Sequence, residues 1–260
     1  MRLRLTLVLA LTAACLAASV GNALAITGGT ADGNTHPEVG GLVADHAYSD
    51  GTWLYCSGTL ISPTVFLTAA HCGDPGQTTA RVSFSSQYHD GDTVYTGSYQ
   101  PDPAYSGAQS DPHDIAVVVF SKKVNGITPA TLPRAGLLDS MKKSGTLQSS
   151  TFTSVGYGSY LPQNGPGGYT YTYDDLRQQA HGSFNSLTNA WLKLSQNAST
   201  GNGGTCYGDS GGPNFLGGSD SRLIVGTTIT GDTQCLSTNV DYRLDTASAR
   251  AFLGKYVALP

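Results

Sequence analysis

The chain has 260 residues, with 33 glycines, only 12% charged side chains and a formal net charge of −4. It carries no basic stripe and no block of like charge, which excludes nucleic-acid binding through a basic patch. Apart from one N-terminal run, its longest apolar stretch is 115–120. That is the length of a buried strand, far below the ~20 residues that span a bilayer.

In chain order, Arg2 and Arg4 precede an apolar run from Leu5 to Ala18. Ala23-Leu24-Ala25 then fits the small-x-small pattern cut by signal peptidase. Residues 1–25 therefore read as a signal peptide, and 26–260 as a secreted, extracellular chain without membrane contact after cleavage. An uncleaved anchor would need a longer run. A lipid-modified Cys15 would need Leu where Thr12 stands. Loss of Arg2 and Arg4 moves the formal charge from −4 to −6. Five cysteines become four once Cys15 leaves, an even set that predicts two disulfides in an oxidising compartment. Cys56, Cys72, Cys206 and Cys235 allow three connectivities. The alternative, a zinc site, lacks both C-x-x-C and H-x-x-x-H spacing, so no metal is expected.

Beyond Ile26, Gly, Pro, Asn, Asp and Ser clusters recur about every ten residues and bound short β-rich runs at 41–44, 58–61, 65–68, 80–84, 115–120, 151–155 and 223–229. Such spacing predicts an all-β sandwich or barrels, with no parallel α/β sheet. A Thr/Pro/Gly stretch near 126–136 reads as a bridge between two halves. The Gly/Pro/Tyr-rich segment 159–173 reads as a solvated loop with packed rings. Helix formers behind a capping residue predict one short C-terminal helix over about 246–257.

Gly208-Asp209-Ser210-Gly211-Gly212-Pro213 carries the strongest chemical signal. A serine hydroxyl is a weak nucleophile until a base removes its proton. The glycines around Ser210 permit a tight turn and close approach of a carbonyl, and the N–H groups of Gly208 and Ser210 can then face one developing oxyanion. Thr68-Ala69-Ala70-His71-Cys72 supplies a histidine at a strand end, and Asp114-Ile115-Ala116-Val117 a carboxylate before an apolar strand. A carboxylate beside a histidine fixes its tautomer and stabilises the imidazolium formed during proton transfer. Taken singly, each has an ordinary structural reading: an idle serine in a glycine turn, a satisfied histidine, a turn aspartate.

Together the three segments, in the order His71, Asp114, Ser210, resemble the chymotrypsin–trypsin family of serine proteases. The resemblance extends over most of the mature chain: Ile26-Thr27-Gly28-Gly29, Cys56-Ser57-Gly58-Thr59-Leu60-Ile61, Gly156-Tyr157-Gly158, Leu176-Arg177-Gln178-Gln179-Ala180, and Val225-Gly226 through Gly231 to Cys235. It implies two six-stranded antiparallel β-barrels, the first over about 26–130 and the second over about 131–245, with the site between them. It also implies disulfides Cys56–Cys72 and Cys206–Cys235, each worth roughly 3 kcal/mol in the chain-entropy model. His71, Asp114 and Ser210 would be the catalytic triad, with Gly208 and Ser210 as the oxyanion hole. A new ammonium at Ile26 would pair with Asp209. Nothing separates Ala25 from Ile26, so signal cleavage itself would create that N-terminus. Some bacterial relatives use an internal arginine instead, from the strand that here is 146–155 and contains none.

The family's pocket-floor position falls on Gly204, which offers no charge to a basic side chain. Thr205, Tyr207, Thr230, Gly231 and Val240 would complete the substrate pocket, with Val240 narrowing its base. The expectation is an uncharged P1 side chain; Asp241 would restore a basic preference if the register shifts by one. Two departures stand out: Ile229 replaces a serine that bonds the catalytic aspartate, and Thr230 a tryptophan that lines the next subsite. The reading is a secreted serine endopeptidase acting through an acyl-enzyme, without a cofactor. It would be a monomer whose partners are protein or peptide substrates and a protein protease inhibitor, not nucleic acid. A silent protease-fold binding module and an esterase-like acyl hydrolase are the alternatives.

Overall fold

The computed structural model describes residues 26–160 and 162–260. The expected signal peptide lies outside them.

Fifteen strands are described. β1 (Thr30–Ala31) is an outlier on the second sheet. β2 (Val39–Val43), β3 (Leu54–Ser62), β4 (Val65–Thr68), β5 (Thr79–Ser83), β6 (Tyr95–Pro101) and β7 (Ala116–Phe120) close a barrel in the order β2-β3-β4-β7-β6-β5. β8 (Thr151–Gly156), β11 (Gln178–Leu187), β12 (Trp191–Ser195), β13 (Pro213–Leu216), β14 (Ile224–Gly231) and β15 (Thr238–Arg243) form the second barrel. It closes where β11 pairs with β8. Between them β9 (Gln163–Gly165) and β10 (Gly168–Thr170) make a small hairpin inside the segment expected to be loop. All the strand ladders are antiparallel, and the two-barrel expectation holds.

Apolar side chains explain the packing. Leu42, Leu60, Phe66, Val82 and Val118 fill the first barrel, and Phe152, Leu192, Leu194 and Val225 the second. A third cluster joins Val39, Leu67 and Val117 to Val155, Phe215 and Tyr242 across the seam. At the same seam Arg177 is fully buried. Its guanidinium donates to Asp32 and to the carbonyls of Gly33, Val39 and Phe84, so one side chain ties both barrels to the N-terminal segment.

Two helices occur. α1 (Leu137–Ser144) was not expected; it buries only Leu138, so its apolar pattern is faint. α2 (Ala247–Leu253) starts behind Thr246, whose hydroxyl accepts from the Ala249 N–H. It stops before Gly254, shorter than the expected 246–257.

Candidate active site

His71 lies in a one-turn 3-10 segment, Ala70–Cys72, directly after β4. Asp114 stands just before β7, which pairs with β4, so the ladder itself brings the two residues together. The Asp114 carboxylate accepts two bonds from one residue: the His71 backbone N–H at 2.9 Å and the ring Nδ1 at 2.8 Å. The carboxylate is 6% exposed and the imidazole 28%, so the acid is sheltered while the ring still faces solvent. Tyr99 holds the turn from below, its hydroxyl donating to the carbonyls of Ala69 and Ala70.

Ser210 arrives from the second barrel. Its carbonyl accepts from the Ser57 N–H at 2.8 Å and lies 3.7 Å from Cys72 Sγ, which sets the serine turn against the histidine turn. Gly208 and Gly211 carry it at φ 96° and 81°, a region costly for any other residue. A Cβ on Gly211 would also lie 2.5 Å from the Ser57 carbonyl and 2.8 Å from the Ala69 N. Within the turn, the N–H groups of Asp209, Gly211 and Gly212 bond to the carbonyls of Cys206, Thr228 and Asp209. Those of Gly208 and Ser210 have no partner among the described residues. The Ser210 hydroxyl also has none, consistent with catalytic bonds that tighten only with substrate.

Asp209 points the other way, into the protein. It is fully buried, and its oxygens accept from the Gly158 and Cys206 N–H groups, both at 2.8 Å. Among the described residues no cation pairs with it, and burial pushes its carboxyl up to about 7 despite those two bonds. Ile26 is buried nearby, its nitrogen donating to the Ser159 carbonyl at 3.1 Å, one residue beyond Gly158. It has φ 62°, an outlier for a β-branched residue.

The expected disulfides Cys56–Cys72 and Cys206–Cys235 are both present. His71 and the sulfurs of Cys56 and Cys72 lie within 4.8 Å of one another, but the disulfide leaves neither sulfur as a thiolate to bind a metal.

The pocket residues divide. Gly204 pairs with Thr27, and Thr205 is buried beside it. A Cβ on Gly204 would collide with the amide oxygen of Gln196 and lie 2.7 Å from its Cβ, so Gln196 occupies the floor. Tyr207 is 47% exposed, its ring packed edge-on against Tyr171, and both hydroxyls donate to the Thr233 carbonyl. Thr230 and Gly231 are exposed at the end of β14. Val240 lines a cavity beside Asp114 with Ile229, Thr230 and Lys193. Its neighbours Asn239 and Asp241 face inward instead, where Asn214 Nδ2 donates to Asp241 at 2.6 Å and Asn239 Nδ2 donates to Asn214. Burial pushes the Asp241 carboxyl well above the usual carboxylate range.

One residue escaped sequence reasoning altogether. Ser57 Oγ donates to the Gly208 carbonyl and accepts from the Tyr157 N–H, both at 3.0 Å. Only its place inside the Cys56–Ile61 segment hinted at it.

No curated protein matches the chain significantly. The family model described as Trypsin matches residues 28–251, and the chain belongs to that family of serine protease-type hydrolases.

Proposed function

We propose that the protein is a secreted serine endopeptidase. His71 takes the proton of the Ser210 hydroxyl as it attacks a peptide carbonyl. The N–H groups of Gly208 and Ser210 stabilise the oxyanion, and His71 then protonates the leaving amine. Water releases the acyl group through the same histidine. Asp114 keeps the imidazole in the tautomer with its Nδ1 proton toward the carboxylate. The observation that carries this reading is the pair of unused N–H groups at 208 and 210, in a turn whose Asp209, Gly211 and Gly212 N–H groups are bonded, set against an aspartate-held histidine.

The P1 preference follows from the neutral surroundings of Gly204. Gln196 is uncharged and Asp241 is buried and bonded to Asn214, so the pocket favours an uncharged side chain of limited size. Removal of 1–25 would leave an ammonium at Ile26 to pair with Asp209 and fix the oxyanion turn.

Intact mass before and after a fluorophosphonate probe tests this. One adduct on a chain beginning at Ile26, absent in Ser210→Ala, is expected. A folded, uninhibited chain that takes no adduct overturns the assignment. Turnover of simple esters but of no peptide overturns the endopeptidase reading.

A further inference from the structure

A cavity of about 720 Å³ opens beside Asp114. One wall is the outer face of three neighbouring strands. Lys193 on β12 opposes Val240 on β15, which opposes Thr230 on β14, so the three form a row. At ~4.8 Å per strand, the Lys193 backbone stands about 10 Å from Thr230, within reach of a lysine stem plus a substrate side chain. Thr230 is small enough to leave that row open.

The opposite wall is the segment 105–112, held in place rather than loose. Trp191 Nε1 donates to the Gln109 carbonyl at 2.8 Å, the Tyr242 hydroxyl to Asp111 at 2.8 Å, and the Ser106 N–H to the Pro112 carbonyl at 2.9 Å.

The charges lining this space are unequal. Asp114 is its single anion, and both its oxygens are taken by His71. Behind the wall, Asp111 accepts from Tyr242 and the His113 N–H, and Asp102 from the Ala104 N–H with the His113 ring alongside. Lys193 is the single cation of the lining. It makes no hydrogen bond and no ion pair among the described residues. Lys142, by contrast, donates its ammonium to the Leu187 carbonyl.

We infer that Lys193 is a specificity-determining residue that selects a substrate carrying a carboxylate side chain in this cavity, near the scissile bond. The inference rests on the endopeptidase reading. The ammonium of a half-buried lysine without a counter-ion among the described residues gains from a substrate carboxylate and nothing comparable from an amide of the same shape. Trp191 and Val240 would cover the stem of the incoming side chain.

The test is a set of matched peptides sharing one P1 residue, with Glu or Gln placed in turn at each position from four before to four after the cleaved bond. At one position the wild type is expected to prefer Glu over Gln by roughly fivefold in kcat/KM, mostly through KM, as a partly screened ion pair allows. Added salt should weaken that preference. Lys193→Gln should bring the ratio near one, Lys193→Glu should invert it, and Lys193→Arg should retain it. Equal ratios in wild type and Lys193→Gln at every position overturn this proposal and leave the protease intact. If Lys193→Gln fails to fold, a wild-type ratio of one at every position overturns it equally. Failure of the wild type to cut any peptide overturns the protease reading, and this inference with it.

Discussion

Between pH 4 and pH 7, a chain that keeps residues in front of Ile26 is expected to lose stability as pH rises, and a chain that begins at Ile26 is not. With the Ala25–Ile26 bond intact, Asp209 is a fully buried carboxyl without a cation, raised from 3.8 to about 7. Between those values the folded state holds a proton that the unfolded state has released. Stability is therefore highest below 3.8 and falls as pH climbs toward about 7, by about 4 kcal/mol in all at 1.36 kcal/mol per pH unit. Cutting the bond changes the sign. An ammonium at Ile26 draws the carboxyl down, so stability is then lost only as pH falls through the lowered value. The ammonium's own share is present below about 8 and is lost as pH rises through its raised pKa. Cutting also removes the carbonyl that defines φ at Ile26, relieving backbone strain of about 1–3 kcal/mol. The assay is urea unfolding from pH 4 to pH 8 of two Ser210→Ala chains, one beginning at Ile26 and one a few residues earlier. The difference between their unfolding free energies should grow with pH by several kcal/mol and cancel the titrations they share. Parallel profiles would refute the Ile26–Asp209 pair.

Activity assays probe the rest of the site. Asp114→Asn keeps the shape beside His71 but turns an N–H of the amide toward the ring or the backbone; kcat should fall about 10⁴-fold, and a loss below tenfold would remove Asp114 from the triad. Gly204→Asp should not create cleavage after Lys or Arg, because the new side chain meets the Gln196 amide; thermal unfolding should show it about 1–3 kcal/mol less stable. Efficient cleavage after Arg by that variant would mean that Gln196 moves out of the floor freely.

The His71–Asp114 pair and both disulfides were legible because their chemistry is carried by residue identity in short, ordered motifs. Five of the first barrel's six strands were legible as apolar runs, whereas β6, whose side chains alternate between buried and exposed, was missed. The second barrel hid several strands for a different reason. Its inner face carries Ser154, Asn214, Asn239 and Asp241, bonded to one another, and a buried polar row does not read as a core. One step along β15 exchanges that inner face for the outer one, where Val240 lines the cavity beside Asp114. Arg177 was legible only as part of a strand. Its five donor contacts come from backbone and side chains up to 145 positions away, which no local pattern contains.

Ser57 shows how the oxyanion turn depends on the first barrel. The Ile229 side chain cannot bond Asp114, yet the carboxylate loses little orientation, because His71 supplies both a ring and a backbone donor. No such duplication protects the Gly208 carbonyl, whose partner is the Ser57 hydroxyl at 3.0 Å. The Ser57 hydroxyl oxygen also accepts from the Tyr157 N–H, and the Ser57 N–H donates to the Ser210 carbonyl. Ser57→Ala leaves the backbone bond but strands the Tyr157 N–H in a buried setting, at a cost of about 1–3 kcal/mol. It also removes one of the two bonds on the peptide that follows Gly208, leaving only the Asp209 N–H on the Cys206 carbonyl to hold it. If that peptide is what holds the Gly208 N–H toward the oxyanion, kcat for peptides should fall at least tenfold while KM changes little, since the loss appears only when charge develops. A stability loss of the expected size with kcat within twofold of wild type would make Ser57 a packing residue and leave the turn to hold itself.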